Sequence, residues 1–304
     1  MKIASILFMI LHLVLLTVTP VRGEGPGQPP APQGNEHTLT ELNKQLTNPV
    51  GNLWSITFQQ NNYVLTIPGR GSSHWSSNLQ FQPVLPIALT PNWNLITRPV
   101  IPLFTSMPYF QQATYSSSYE ELRRSTAFGD IILMEQLSPS PKLVGNWLLG
   151  VGPTFVFPTA SDVQNGQGKW QVGPSAIVGF ISKKWILAAF LQDWISFAGQ
   201  SNRDSVHQMN LQPIASYFLP GGWAIGYSGN ILANWRARDS GEVWTVPLGI
   251  GVSKVVKFGK LPIKISVAGQ YMPVHPENFG QKWNIQLMVT PVVPKLVKGN
   301  LLGD

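Results

Sequence analysis

The sequence predicts an all-β transmembrane protein, an antiparallel up-and-down β-barrel of about twelve strands that follows a cleaved signal peptide. Three observations lead there: apolar residues recur at every second position over most of the chain, short and long connections alternate, and charge is scarce. Charged residues make up 12% of the 304, about half the roughly 25% of a soluble domain. Little charge is therefore left to cover a surface facing water. The chain has no cysteine, which excludes disulfides, thiolate metal sites, a cysteine nucleophile and a lipid-modified N-terminal cysteine.

The first element is a Sec-type export signal over residues 1–23. Lys2 precedes an apolar stretch from Ile3 to Val18, and Val21, Arg22 and Gly23 place small or apolar groups where a signal peptidase reads them. A membrane helix needs roughly 20 apolar residues, and this stretch is shorter and broken by His12. No later segment approaches it in apolar length, so the remainder can enter a membrane only as a barrel. Residues 24–50 read as a Pro/Gly-rich linker and a short helix. In that helix Thr38 and Glu41 form a capping box, Leu39, Leu42 and Leu46 share a face, and Asn48-Pro49 ends it. It is either a seal for the inner mouth of the barrel or a partly ordered leader.

Residues 51–294 form the barrel, and residues 295–304 a tail. Period-two stretches run over Leu53–Ile67, Trp75–Leu89, Trp93–Phe104, Gly129–Leu137, Leu143–Phe157 and Trp170–Ile181. They continue over Trp185–Phe197, Val206–Phe218, Trp223–Trp235, Val243–Val255, Leu261–Tyr271 and Trp283–Val293. Tight connections such as Thr90–Asn92, Ser182–Lys184 and Leu219–Gly222 alternate with longer polar ones such as Thr105–Phe128, Pro158–Lys169 and Met272–Lys282. That rhythm belongs to an outer-membrane barrel with trimmed periplasmic turns and elaborated outer loops; a soluble β-sandwich has no reason to keep it.

Trp223–Trp235 states the pattern most clearly. Trp223, Ile225, Tyr227, Ile231 and Trp235 alternate with Ala224, Gly226, Ser228, Asn230 and Asn234, bulky groups for lipid and small polar groups for a wet interior. At about 3.3 Å per residue and a tilt near 40° the two tryptophans stand about 30 Å apart along the barrel axis, the spacing of two interfacial aromatic belts. Trp185, Tyr227, Trp244, Tyr271 and Trp283 join Trp223 and Trp235 as girdle residues. Pro83, Pro99, Pro153, Pro174, Pro213 and Pro247 fall inside strands, where each removes a ladder donor. They are expected at bulges, at interfaces or opposite a water-facing carbonyl.

Four segments carry a family likeness: NPVGNLWSITFQ (Asn48–Gln59), FQPVLPIALTPNWNLITRPVIPL (Phe81–Leu103), GVGPTFVFPTA with GKWQVGPSAIV (Gly150–Ala160, Gly168–Val178), and VPLGIGVSKVVKFGKLPIKI (Val246–Ile265). They resemble a bacterial outer-membrane β-barrel family commonly mislabelled neuromedin U, related to the outer-membrane proteins of meta-pathway phenol-degradation clusters. The resemblance covers most of the chain after Asn48 and implies a barrel with a transport role, small hydrophobic or aromatic solutes, and no catalytic residues. The tail departs from barrels that end on an aromatic residue of the last strand.

A charge facing the bilayer midplane costs about 2–4 kcal/mol, so charges within strands are expected to face the lumen or lie near a rim. Arg98 shares a face with Asn94, and Lys264 with Ser266 and Gln270. The faces of Glu135 and Asp193 are ambiguous, and both are grouped with the lumen-lining candidates, together with Gln208, Asn210, Gln212, Asn230, Asn284 and Gln286. These groups would form a selectivity ring or orient a solute, or would be interior salt bridges. The expected function is passive transport of small solutes, with a structural or surface role as one alternative. An outer-membrane lipid hydrolase built on His74 and Ser76 is the other. No cofactor or metal is implied, and His207 and His275 read as solvated loop histidines. The expected partners are membrane lipid and lipopolysaccharide, the barrel-assembly machinery and a small-molecule solute. Nucleic acid is excluded, because the +7 formal charge is scattered and an exported chain would not meet it.

Overall fold

The computed structural model describes residues 33–67, 74–111, 121–297 and 299–303. The signal peptide, nearly all of the linker and the tip of the Thr105–Phe128 connection lie outside the described residues. In chain order the elements are α1 (Gln33–Thr47), β1 (Ser55–Thr66), β2 (His74–Thr90), β3 (Trp93–Gln111), β4 (Glu121–Phe128), β5 (Ile131–Pro139), α2 (Pro141–Val144), β6 (Trp147–Phe157) and β7 (Lys169–Ile181). There follow β8 (Trp185–Gly199), β9 (His207–Phe218), β10 (Trp223–Ser228), β11 (Ile231–Asn234), β12 (Trp244–Phe258), β13 (Leu261–Val274) and β14 (Gly280–Pro291).

Every ladder is antiparallel, and β1 pairs with β14 from Phe58↔Val289 to Thr66↔Gly280, so the sheet closes on itself. The fourteen strand segments occupy twelve places in the wall. β4 and β5 both pair with β3, and β10 and β11 both lie between β9 and β12. Closure removes the free edges that lipid could not satisfy. No helix among the described residues is long and apolar enough to cross a membrane.

The Thr105–Phe128 connection, expected as a loop, is largely strand. β3 continues to Gln111 and pairs with β4 from Met107↔Ser125 to Gln111↔Glu121. The hairpin mixes Arg123, Arg124, Ser125 and Thr126 with Met107, Tyr109, Phe110 and Leu122, so no alternating apolar face marks it as strand. The helix also differs from expectation. It starts at Gln33, ahead of the capping box read at Thr38, and Glu41 instead pairs with Lys44 at 2.8 Å. It ends before Asn48-Pro49, where the Val50 amide donates to Asn48 Oδ1.

The in-strand prolines mark interruptions in the ladders. Pro83 and Pro99 lie where β2–β3 pairing skips from Phe81↔Ile101 to Leu85↔Thr97. Pro153 and Pro174 oppose each other, and each also lies in a gap, in β5–β6 and β7–β8 respectively. Pro213 faces the break between β10 and β11, and Pro247 sits at the bulge between Val246 and Leu248. In each case the missing N–H falls where no ladder bond is made.

The C-terminal tail is held to the wall. β2 runs past the start of β1, leaving a free edge near the short turns. There Leu301 N donates to Ala88 O and Leu302 N to Leu89 O, both at 2.9 Å, and Trp54 Nε1 donates to Pro86 O at 2.8 Å.

Candidate functional site in the barrel lumen

Two interior layers define the lumen. Toward the short turns, the inward side chains of β6, β8, β9 and β10 form an apolar floor of Leu148, Ile186, Ile214, Phe218 and Ala224, with Val50 packed on it. Met134, Ile177 and Phe190 form a second cluster beside it, also touched by Val50. Toward the loops the interior is a network of buried amides. Asn61 Nδ2 donates to Asn78 Oδ1 (2.8 Å), Gln286 Nε2 to Asn61 Oδ1 (3.0 Å) and Asn284 Nδ2 to Gln270 Oε1 (3.1 Å). On the opposite wall Gln192 Nε2 donates to Thr154 Oγ1 and Asn210 Nδ2 to Gln192 Oε1. Each of these amides makes at least one hydrogen bond, as buried polar groups require, while Asn210 Oδ1 and Asn284 Oδ1 are buried without a partner among the described residues.

The helix α1 occupies the short-turn end of the lumen. Asn43 is fully buried; its Nδ2 donates to Gly222 O at 2.8 Å and to Ser253 Oγ at 3.2 Å. Thr40 Oγ1 donates to Leu219 O at 3.0 Å. Gly222 lies at φ +78°, and a Cβ there would come within 2.9 Å of Leu39, so a glycine is needed both for the turn and for the approach of the helix. The helix thus lies ordered at the short-turn mouth, bonded to Leu219, Gly222 and Ser253.

Above α1 lies a cavity of about 200 Å³. Thr47 and Leu46 of the helix line it with Arg98, Gln212, Lys264 and Gln286 of the wall. Lys264 Nζ donates to Thr47 Oγ1 at 2.6 Å. The Arg98 guanidinium lies 5.5 Å from the Phe190 ring centroid, a cation–π contact. Tyr227, Ile250 and Val252 also line the cavity, although strand alternation puts them on the outer face. The cavity therefore reaches the wall where the β10–β11 break lies beside β12. Tyr227 OH spans that interruption, donating to Pro247 O at 2.6 Å.

The sequence-predicted residues divide by position. Arg98, Gln212, Lys264 and Gln286 line the cavity. Asn210 and Asn284 belong to the amide network, Gln208 shares the inward face of β9 with Asn210, and Asn230 falls in the break between β10 and β11, outside any ladder. Glu135 and Asp193, grouped with the lumen-lining set, lie on the outer face. Their neighbours Gln136 and Gln192 are the buried, inward ones, and alternation turns the carboxylates outward. Thr97 Oγ1 donates to Glu135 Oε2 at 2.8 Å. Asp193 meets His207 Nε2 at 2.8 Å and accepts from Trp235 Nε1 at 2.9 Å. His207, read as a solvated loop histidine, is thus a hydrogen-bond partner of Asp193 at the rim.

Of the girdle residues, Trp185, Trp223, Trp235, Trp244, Tyr271 and Trp283 are exposed on the outer surface, and Tyr227 is partly buried. Ser76 Oγ donates to Ser106 O at 2.9 Å rather than engaging His74, and His74 Nε2 is buried without a hydrogen-bond partner among the described residues. Sequence reasoning missed Asn43, Thr47, Val50 and Phe190 as lumen groups. Asn43 and Thr47, four apart on one helical face and bonded to each other at Thr47 Oγ1, were the available signal.

Among solved structures the chain is similar to the COG4313 outer membrane channel from Pseudomonas putida F1, with a TM-score of 0.53 and 16% identity over 79% of this chain and 96% of that one. It also aligns with the translocator domain of the autotransporter NalP from Neisseria meningitidis (TM-score 0.42, 10% identity, 86% and 97% covered). A FadL homologue from Pseudomonas aeruginosa aligns at a TM-score of 0.33, with 8% identity over 84% and 93%. No family model and no curated protein matches the chain. The first alignment shows an outer-membrane barrel fold, in keeping with the family that the sequence motifs resemble.

Proposed function

We propose that this outer-membrane barrel passively admits small apolar or aromatic solutes into a Gram-negative cell. The observation that carries the reading is the cavity above α1, walled by amides and two cations inside a closed barrel, since a scaffold barrel of this size has no need of a polar chamber. The solute class follows the family resemblance of the sequence motifs. The helix in the lumen favours a second reading, a structural or surface-interaction barrel without a pore.

Planar-bilayer conductance and liposome swelling with purified protein separate the two. The transport reading expects single-channel steps and entry of small solutes, both increased when residues 33–47 are deleted. A barrel that stays silent in both assays, with and without the helix, is structural.

A further inference from the structure

We infer that the cavity above α1 is a binding site for a small organic monocarboxylate, with Arg98 and Lys264 taking the carboxylate and an apolar wall taking the body. Use of the site during passage rests on the transport reading; binding does not.

Two cations reach this chamber from different parts of the wall, Arg98 from β3 and Lys264 from β13, with β14, β1 and β2 between them. No aspartate or glutamate is among its described lining residues. Two partly buried positive charges with no carboxylate beside them carry a desolvation cost, and an anion relieves both. The hydrogen bonding leaves room for one. Arg98 Nη1 is buried and has no partner among the described residues, and the guanidinium is steadied by the Phe190 ring, a contact that leaves its edge donors free. Lys264 gives one of its three donors to Thr47.

The remaining surface narrows the class. Leu46, Leu53, Val84, Ile214 and Met288 line the same cavity, a surface that suits a hydrocarbon body better than the full hydration shell of an inorganic anion. A cavity of roughly 150 Å³ holds a benzene ring, so about 200 Å³ suits a single ring or short chain bearing one carboxylate. The planar fork of Arg98 matches that group in two parallel hydrogen bonds.

The test is isothermal titration of the full mature protein, folded in detergent, with sodium benzoate, benzyl alcohol, benzylamine and sodium chloride. Folding is checked by heat-modifiable gel mobility. Saturable benzoate binding with neither the alcohol nor the amine bound is expected. Arg98→Gln should weaken it at least about tenfold, Arg98→Lys and Lys264→Gln less. If Arg98→Gln does not fold, the other two variants carry the comparison. Equal binding of benzoate and benzyl alcohol, full competition by equimolar chloride, or a folded Arg98→Gln/Lys264→Gln protein that binds as wild type overturns the site. Bilayer conductance without benzoate binding sinks the site alone, whereas benzoate binding in a barrel that never conducts sinks the transport reading and leaves the site standing.

Discussion

Glu135 places a carboxylate on the face that meets lipid, softened by the Thr97 hydroxyl at 2.8 Å. Acidic groups on that face of a barrel are destabilising, though less than arginine or lysine. Glu135→Leu should therefore stabilise the barrel by about 1 kcal/mol, read as a higher urea midpoint for unfolding from lipid vesicles. Thr97→Ala, which strips the carboxylate of its donor, should lower that midpoint. The face of Glu135 was not legible because apolar residues flank it on both parities: Met134 is buried inside while Leu133 and Leu137 look out. Lys264 was easier, since Ser266 and Gln270 share its face, and Arg98 shares a face with Asn94, although Ile96 lies between them. Asp193 misled for a related reason: Trp194, the bulkier neighbour, is the one turned inward, at 6% exposure. The Asp193 charge is met at the rim by His207 and Trp235.

At the scale of elements, the β3–β4 hairpin is tied to the β6–β7 connection by Ser125 Oγ, which donates to Asp162 Oδ2 at 2.7 Å. The Gln164 amide, first, and the Ser125 hydroxyl, second, hold the Asp162 carboxyl below the ordinary aspartate range, against slight desolvation. A carboxyl depressed on folding adds stability above its unfolded pKa, about 3.9, and loses it as pH falls through the lower folded value. Limited proteolysis of the hairpin on detergent-folded protein should thus be slow at neutral pH and quicken below about pH 4. Asp162→Asn should be cleaved faster at neutral pH, with the pH dependence flattened. The tail argues similarly. It and Trp54 cover backbone acceptors at the free edge of β2, so truncation after Pro294 should lower the thermal transition. Trp54→Phe, which leaves the Pro86 carbonyl without its donor, should cost about 1–3 kcal/mol. Neither connection was readable beforehand: the hairpin lacks an alternating apolar face, and the tail bonds through its backbone.

For the whole molecule, nine of the eleven tryptophans are exposed. Trp93, Trp147, Trp185 and Trp223 lie at the short-turn end, and Trp75, Trp170, Trp235, Trp244 and Trp283 at the loop end. Such belts sit at headgroup depth. Tryptophan fluorescence in vesicles should be quenched more by lipids brominated near the glycerol than by lipids brominated at the chain terminus. Equal quenching by both would mean that the rings are spread over the bilayer's depth.

The pattern of residues alone determined the barrel, its twelve wall positions and its two aromatic belts, because a strand records in alternate side chains which surroundings each face meets. Tertiary structure alone decided that α1 lies at the short-turn mouth, that an apolar floor underlies the amides, and that Glu135 and Asp193 look outward. Those outcomes hang on pairs such as Asn43 with Gly222 and Thr47 with Lys264, which closure of the sheet brings together and which no local periodicity can encode.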